Sequence, residues 1–465
     1  MATISSAGIG SGLDVNSIIT QLMAIEQKPL TTLQTKATAL QSTVSEYGKI
    51  KSTVSTLRDL ASRLASTTTW AQTTSNSTST AVSASTNGSA AGTYSVEVQQ
   101  LASVQTLATG VMPATSTPGA GTLRIELGTW GAGQTSFTAN PAATAVDVSI
   151  AATDTLADIR DKINAAGAGV TALVMTDSAG ARLLIRSNAT GAVNAFRTSG
   201  VPALAFDPSA GASTMTQSQV AADAAATVNG LAVTSSSNTL SNIVDGLTLN
   251  LNATTLGPAT INVVTDTEAI KKTLTEFAAA YTAVIKLIAT DTKFDPVARK
   301  GGILQGDSAA VGLQRQLRSL AGAASGASAV FGRLSDVGLQ LQADGSMTVN
   351  ASKLDAALGN VGELKKMFSG ASLTDPTLDG FGKRFRVVTD TMLGIDGALT
   401  TRTEGLGQQL QRDQKDQDAL ELRLEAIEKR YRAQYTALDT AMARLTSQSN
   451  YITQQIAAFN ASNKN

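Results

Sequence analysis

Apolar residues recur at alternating steps of three and four near both ends of this 465-residue chain, and this pattern constrains its fold most. The N-terminal series is Leu33, Ala37, Leu40, Val44 and Tyr47, then, after one shift of phase, Ile50, Val54, Leu57, Ala61 and Leu64. Such spacing is the heptad seam of a coiled coil. The series is long for a globular helix, so we expect a coiled coil rather than an ordinary amphipathic helix.

The C-terminal end shows the same periodicity over an even longer stretch. Its series is Leu420, Leu424, Ile427, Tyr431, Tyr435, Leu438, Met442, Leu445, Ser449, Ile452, Ile456 and Phe459. Two successive steps of four around Tyr431 form a stutter, which locally unwinds a coiled coil. Glu425 and Lys429 form an i,i+4 pair that indicates a solvated face beside the seam. An apolar seam needs a second stripe to cover it, and the N-terminal helix offers one.

The glycine-rich stretch GIGSGLD, residues 8–14, precedes a shorter helical pattern. A dinucleotide fingerprint requires a preceding strand and a third glycine where this chain has Leu13, and a phosphate loop requires Gly-Lys-Ser/Thr. Neither condition is met, so we predict a leader followed by a helix. Asp14 or Asn16 is expected to cap that helix, and Pro29 to end or kink it. Its predicted apolar positions are Ile18, Leu22 and Ile25.

Between the two ends the sequence alternates as short β-strands do. Residues 170–187, VTALVMTDSAGARLLIRS, predict a β-hairpin that follows an amphipathic helix capped by Gly167. VGLQLQADGSMTVN predicts a second hairpin, which turns at Asp344-Gly345. Helical periodicity returns from Glu268. The order predicts an α+β multidomain chain, in which the terminal coiled-coil helices pair with each other and β-rich domains are inserted between them.

Composition removes several classes of function. Lys+Arg and Asp+Glu number 36 each, so there is no net basic charge to attract nucleic acid. Cys and His are both absent, which excludes disulfides, thiol chemistry and histidine-based catalysis or zinc binding. No apolar run is long enough to span a membrane, and no secretory signal peptide is recognisable before Lys28. We therefore expect no enzyme activity, no cofactor, no metal and no membrane insertion.

The competing enzyme hypothesis is a glycan hydrolase that uses paired carboxylates. Its candidates are Asp154, Asp158 and Asp161, which are predicted to lie on the short amphipathic helix at spacings that suit exposure to solvent.

Several stretches together resemble the bacterial flagellar filament cap, the hook-associated protein 2 family. They are GIGSGLDVNSIITQLMAIEQKPL (8–30), the helix at 33–64, DGLTLNL (245–251), FAAAYTAVI (277–285), LQGDSA (304–309), DVGLQLQADGSMTVNASKLDAAL (336–358) and the final NYITQQIAAFN. Residues 170–191 are also similar to an insertion motif of flagellins. Thr282 and Met367 stand where the family often has Asn and Leu.

The resemblance implies a division into four parts. These are a leader with coiled-coil legs at 1–40 and 430–465, a helical leg domain with a small β-hairpin region at 41–72 and 265–429, a β-rich head domain at 73–109 and 223–264, and an outer β-rich head domain with the insertion motif at 110–222.

The resemblance also implies a structural cap at the distal tip of the flagellar filament, which retains exported flagellin and promotes its folding and incorporation. The implied partners are further copies in a small ring, flagellin, the hook–filament junction protein, the flagellar export apparatus and a cytoplasmic chaperone at the C-terminal helix. The implied location is extracellular, reached through the flagellar channel without a cleaved signal peptide. Another axial flagellar subunit, or a secreted adhesin that binds host surface glycans, remains an alternative.

Capping of this kind needs contacts between subunits rather than chemistry. The residues expected to make them are Leu22, Ile25, Leu33, Leu40, Leu438, Met442, Leu445, Ile452 and Ile456. Packing within one chain is the competing interpretation for each residue, above all for Leu33 and Leu40.

Overall fold

A computed structural model describes residues 14–88, 90–297 and 299–462 of the chain. These residues divide into two compact units: a helical unit, which extends to Thr67 and resumes at Lys271, and a β unit from Thr68 to Ile270. The predicted α+β multidomain class is thereby confirmed. The leader GIGSGLD lies outside the described residues except for its last residue, Asp14.

Nine α-helices lie within the described residues, and both heptad patterns form continuous helices. The helices are α1 (Val15–Glu26), α2 (Lys28–Ala65), α3 (Leu156–Ala166), α4 (Thr267–Thr292), α5 (Ser308–Gly322), α6 (Ala351–Leu358), α7 (Val361–Ser369), α8 (Phe381–Leu393) and α9 (Ala398–Ser462). Helix α9 contains the whole C-terminal heptad series, and α2 contains the whole N-terminal one.

The strands within the described residues pair antiparallel throughout. They are β1 (Thr73–Ser77), β2 (Val82–Thr86), β3 (Gly92–Gln100), β4 (Thr106–Ala108), β5 (Gly121–Trp130), β6 (Phe137–Ala139), β7 (Val146–Ile150), β8 (Val170–Asp177), β9 (Gly180–Ser187), β10 (Ala195–Ser199), β11 (Phe206–Asp207), β12 (Ala212–Ser213), β13 (Thr216–Gln219), β14 (Ala224–Val228), β15 (Leu231–Ser235), β16 (Thr239–Val244), β17 (Leu247–Leu251), β18 (Ala259–Thr265), β19 (Phe294–Asp295), β20 (Lys300–Gly301), β21 (Leu339–Leu341) and β22 (Met347–Val349).

Local sequence explains where the first two helices begin and end. Asp14 caps α1, since its Oδ1 accepts a hydrogen bond from the backbone N–H of Ser17 at 3.0 Å. Gln27 separates α1 from α2, and Pro29 lies in the first turn of α2. Backbone N–H groups in the first turn have no partner within the helix, so the missing N–H of proline costs no hydrogen bond there. The predicted cap at Asp14 and the predicted break at Pro29 are both confirmed.

The helical unit is built around one face of α2. The residues of this face are completely or almost completely buried: Tyr47, Ile50, Val54, Leu57, Ala61 and Leu64. They pack against α8 and α9. On the neighbouring helices, the rings of Phe277 and Phe385 meet edge to face with their centroids 5.1 Å apart. The second half of the predicted N-terminal seam is therefore a core.

A polar cluster joins α2, α5 and α9 at the edge of this core. The hydroxyl of Tyr47 donates to Asp307 Oδ1 at 2.6 Å, and Nη2 of Arg402 donates to Asp307 Oδ2 at 2.8 Å. Asp307 also caps α5, because its Oδ1 accepts from the backbone N–H of Ala309 at 3.0 Å. Burial acts against the charge, yet the hydrogen bonds from Tyr47 and Arg402 hold the pKa of Asp307 below its usual value.

The β unit has two hydrophobic cores, each between antiparallel sheets. One lies between a five-stranded sheet, in the order β1-β18-β3-β14-β15, and a three-stranded sheet, β16-β17-β2. The other is enclosed by a six-stranded sheet, a four-stranded sheet and helix α3. In the six-stranded sheet β10 and β7 both pair with β5, and the four-stranded sheet has the order β13-β4-β9-β8. Its hairpin β8–β9 and helix α3, which ends at the left-handed Gly167, confirm the predictions for residues 155–187.

One prediction for this region is wrong. Asp154 does not lie exposed on α3: it precedes the helix, is 9% exposed, and forms an ion pair with Lys162. Its carboxylate also accepts from the backbone N–H of Ala151 at 2.7 Å. Asp158 is occupied in the capping box of α3 with Thr155. Asp154 and Asp158 thus stabilise the start of α3, while Asp161 lies exposed within the helix and pairs with Arg160.

Two buried tyrosines allow a matched test of the polar cluster. Tyr47→Phe removes a hydrogen bond to a charged group, so we expect the free energy of unfolding of the helical unit to fall by about 1.5–3 kcal/mol. Tyr281→Phe removes a hydroxyl that has no hydrogen-bond partner among the described residues, so it should be neutral or stabilising. Urea unfolding followed by far-UV circular dichroism measures both, and equal losses would contradict the assigned role of Tyr47.

Candidate assembly surface

Helix α1 packs on α9 through a face that the sequence did not identify. Val15, Ile19 and Met23 are buried around Leu424, and the hydroxyl of Tyr431 donates to Glu26 Oε1 at 3.2 Å. The predicted apolar stripe, Ile18, Leu22 and Ile25, lies beside this face, with Ile25 63% exposed. The reason is that two adjacent apolar lines, Ile18–Leu22–Ile25 and Val15–Ile19–Met23, share one broad side of α1, so periodicity alone does not select the buried one.

Helix α2 packs on the part of α9 that comes before the contact with α1. Leu33 and Leu40 are half-buried on α2, which packs along α9. Between them Lys36 Nζ lies 3.1 Å from Asp413 Oδ1, an ion pair whose carboxylate is buried and whose ammonium is half-exposed. The interface thus carries a polar layer within an otherwise apolar seam.

This polar layer is a feature that the sequence analysis missed, although a signal for it exists. Continuing the heptad steps backwards from Leu420 leads to Gln417 and Asp413. Asp413 Oδ2 and Gln417 Nε2 are buried without a hydrogen-bond partner in the described part of the chain. A polar residue at a seam position specifies register at a cost in stability, so these residues favour one alignment of α2 against α9.

Beyond Tyr435 the seam of α9 is exposed. We call Leu438, Met442, Leu445, Ile452 and Ile456 the terminal stripe; their exposed fractions run from 38% to 59%. They continue the heptad spacing, so they lie on one side of the helix over its last turns. Of the nine residues expected to form assembly contacts, these five and Ile25 are therefore accessible to another chain, while Leu22, Leu33 and Leu40 are half-buried.

The chemistry of the terminal stripe favours association with another helix. From Leu445 to Ser462 the helix carries no charged residue, and its polar side chains are hydroxyls and amides. An exposed apolar stripe of this length on a soluble helix marks an interaction site, because burying it removes apolar area from water. Whether the nine residues form contacts between copies stays a prediction.

Comparison with known proteins gives the family. The profile described as Flagellar hook-associated protein 2 C-terminus matches residues 221–447, and the one described as Flagellar hook-associated protein 2 N-terminus matches residues 11–105. Flagellar hook-associated protein 2 of an Escherichia coli strain is 33% identical to this chain over 477 residues, covering 98% of each. This chain belongs to the flagellar hook-associated protein 2 family. The resemblance inferred from the sequence is confirmed.

Further relatives agree with this assignment. The B-type flagellar hook-associated protein 2 of Pseudomonas aeruginosa is 28% identical over 97% of both chains. A crystal structure of three domains of the flagellar cap protein FliD from Escherichia coli matches with a TM-score of 0.60 at 30% identity, covering 78% of this chain and 99% of that one. The profile described as Flagellin hook IN motif matches residues 132–189, which include most of the segment predicted to resemble a flagellin insertion.

Two further properties of the described residues are relevant to the site. None of their helices combines the length and the hydrophobicity needed to cross a bilayer. Nor do these residues bring three or more acidic side chains together in a group that could hold a metal ion.

The face of α1 that contacts α9 can be tested with two isoleucines. Ile19→Ala removes a buried side chain from the contact with α9 and should weaken docking of α1 by about 2–4 kcal/mol. Ile25→Ala changes an exposed side chain on the same helix and should have little effect. Hydrogen exchange of residues 15–26 measures docking, and equal acceleration in both variants would show that the buried face is wrongly assigned.

Proposed function

We propose that this chain caps the distal tip of the bacterial flagellar filament, where it retains exported flagellin and promotes its folding and incorporation. The observation that carries the proposal is similarity to flagellar hook-associated protein 2 over 98% of this chain, together with similarity to a flagellar cap structure over 78% of it. The proposed role is structural and requires no catalytic residue, cofactor or metal.

The terminal stripe and Ile25 are the surface that we assign to assembly. Each copy would offer its own apolar helix end to a neighbour, so that the stripe becomes buried only in the oligomer. Contact between different surfaces of successive copies is heterologous, and it closes into a ring when the rotation between copies closes. Leu22, Leu33 and Leu40 lie along the part of α9 that α1 and α2 cover, apart from the terminal stripe. Each is half-buried within its own chain, and we propose that its exposed part makes a separate contact with a neighbouring copy.

The proposed partners follow from the same role. They are further copies of the chain in a small ring, flagellin, the hook–filament junction protein, the flagellar export apparatus and a cytoplasmic chaperone that covers the C-terminal helix before export. The chaperone proposal is supported by the uncharged, apolar character of α9 beyond Leu445, which would otherwise be exposed in the cytoplasm. Export would proceed through the flagellar channel without a cleaved signal peptide.

The two cores of the β unit support a corresponding division into head domains. We assign residues 73–109 and 223–264 to an inner head domain and 110–222 to an outer one, because each range contains most of one core. The leg domain would comprise 41–72 and 265–429, with leader and legs at 1–40 and 430–465.

A strain that lacks the gene tests the capping role directly. We expect unpolymerised flagellin in its culture medium, and renewed filament growth when the purified full-length protein is added back. Normal filaments in that strain would exclude capping.

The alternative of another axial subunit is tested with the purified protein. Open fibres rather than closed rings would favour this alternative, which the flagellin hook IN motif at 132–189 supports.

The terminal stripe is tested by placing charge on opposite sides of α9. The double variant Leu445→Asp/Ile452→Asp should abolish capping and swimming without unfolding the β unit, because it puts charge into the apolar contact. The control Ser447→Asp/Asn450→Asp places two charges on the opposite side of the same turns and should swim. Swimming of both variants would remove the stripe from the mechanism.

A further inference from the structure

Strand β15 lies at one end of the five-stranded sheet, and its outer edge is open. Within the described residues this strand pairs with β14 alone. Ala232 and Thr234, in the middle of the strand, are both exposed. Their backbone N–H and C=O groups form no hydrogen bond with a loop or a side chain of the described residues. The edge therefore presents backbone donors and acceptors to solvent.

The turn before β15 determines which backbone groups face outwards. Asn229 and Gly230 form a two-residue turn with φ angles of 51° and 82°, as a type I′ hairpin requires. The residues on either side of such a turn exchange both backbone hydrogen bonds, and hydrogen-bonded positions then alternate along the strand. Leu231 occupies the position after the turn. The N–H and C=O groups of Ala232 and Thr234 consequently point away from β14.

Two other sheet edges of the β unit are covered by side chains. At the opposite edge of the same sheet, the hydroxyl of Thr86 on β2 donates to the carbonyl of Thr73 on β1. At the β8 edge of the four-stranded sheet, the Asn164 side chain accepts from the N–H of Ala172 at 2.7 Å and donates to its carbonyl at 3.0 Å. Such cover hinders another chain from pairing with these edges. The described residues provide no comparable cover for β15.

The sequence around β15 lacks the features that normally keep an exposed edge from pairing. Soluble proteins protect such edges with charged side chains, proline or bulges. Residues 224–244 contain no charged residue and no proline, and the pairing of β14 with β15 is free of bulges. Leu231, at the start of the strand, is 73% exposed. The edge is therefore suited to bind another polypeptide.

The arrangement of the free groups indicates the chemistry of the partner. Ala232 and Thr234 each offer one N–H donor and one C=O acceptor, and these sets lie about 7 Å apart along the strand. An extended polypeptide presents the same alternation, whereas a helix uses its backbone groups internally. No charged residue lies along the edge, so a charged segment would find no partner there for its charge. The edge thus fits an extended, uncharged polypeptide.

We propose that the open edge of β15 binds an extended, uncharged segment of flagellin that has not yet folded, as a sixth strand of this sheet. The choice of flagellin rests on the proposed capping role. Main-chain hydrogen bonds provide the contact, so segments of different sequence bind. When flagellin folds, its backbone groups pair within its own structure, and the edge becomes free for the next segment.

Hydrogen exchange of the full-length chain measures whether the edge is occupied. Without a partner, the outward amides of Ala232 and Thr234 should exchange at nearly the intrinsic rate. Excess flagellin, freshly diluted from denaturant, should slow the fast-exchanging amides of a peptide covering residues 231–236 by about tenfold or more. A peptide covering residues 170–177, from the covered β8 edge, is the control and should not change.

Two substitutions at Thr234 separate backbone recognition from side-chain recognition. Thr234→Pro removes an outward N–H that the pairing with β14 does not use, so the sheet should still form. The added strand loses one hydrogen bond and meets the proline ring, so labelled flagellin should bind about tenfold more weakly, as measured by fluorescence anisotropy. Thr234→Ala changes the side chain, keeps the N–H, and should bind as the wild type does.

The proposal is overturned if flagellin does not bind, or if it binds and leaves the exchange of residues 231–236 unchanged. Equal binding by Thr234→Pro and Thr234→Ala would also contradict it. Protection that needs no flagellin and grows with the concentration of the chain itself would assign the edge to contacts between copies instead. Far-UV circular dichroism establishes that each variant is folded, and the wild-type exchange measurement decides even if Thr234→Pro is not.

The add-back assay tests the capping role separately from this inference. Filaments that regrow with wild-type protein whose β15 edge gains no protection from flagellin would contradict the inference alone. Filaments that fail to regrow, while flagellin still slows the exchange of residues 231–236, would contradict the capping role and support the binding edge.

Discussion

The buried stripe of α2 is the constraint on which the helical unit depends. From Tyr47 to Leu64 its apolar residues follow heptad spacing and are almost entirely removed from solvent. Each such side chain contributes about 1.5–3 kcal/mol when fully buried, so the stripe outweighs any single polar contact around it. Helices α8 and α9 both pack on α2, so covering this one surface determines where these two helices lie in the helical unit.

The same reasoning explains why one long helix has two different environments. Helix α9 is covered by α2 and then by α1 as far as Tyr435, which packs against the cluster of Val15, Ile19 and Met23. Beyond this point its heptad spacing continues without cover from the described residues of its own chain, and Leu438, Leu445 and Ile456 are exposed. A heptad pattern states only that a stripe requires a partner. Whether the partner is the same chain or another one depends on the length of the covering helices.

Local features of the fold could be predicted from the sequence, whereas contacts between distant segments could not. The cap at Asp14, the break at Pro29 and the left-handed Gly167 each depend on a few neighbouring residues, so short motifs sufficed. The buried side of α1 could not be predicted from its own residues, because it is selected by α9 at the other end of the chain. Tyr47 and Asp307 are 260 positions apart, and no pattern in one chain links them. The assembly residues are undecided for the same reason, since a pattern within one chain does not show which surface covers them.

Polar residues in the helical unit fix the alignment of neighbouring elements at points where apolar packing alone would allow more than one alignment. Thr282 shows this at a position where the family often has Asn: its hydroxyl donates to the carbonyl of Met347 and accepts from its N–H, both at 2.9 Å. A hydroxyl can do both, as a side-chain amide can, so the exchange preserves the link between α4 and β22. Lys36 with Asp413 fixes α2 against α9 in a comparable way. An apolar stripe tolerates sliding by one heptad, but such polar pairs do not, because sliding would leave each buried group unpaired.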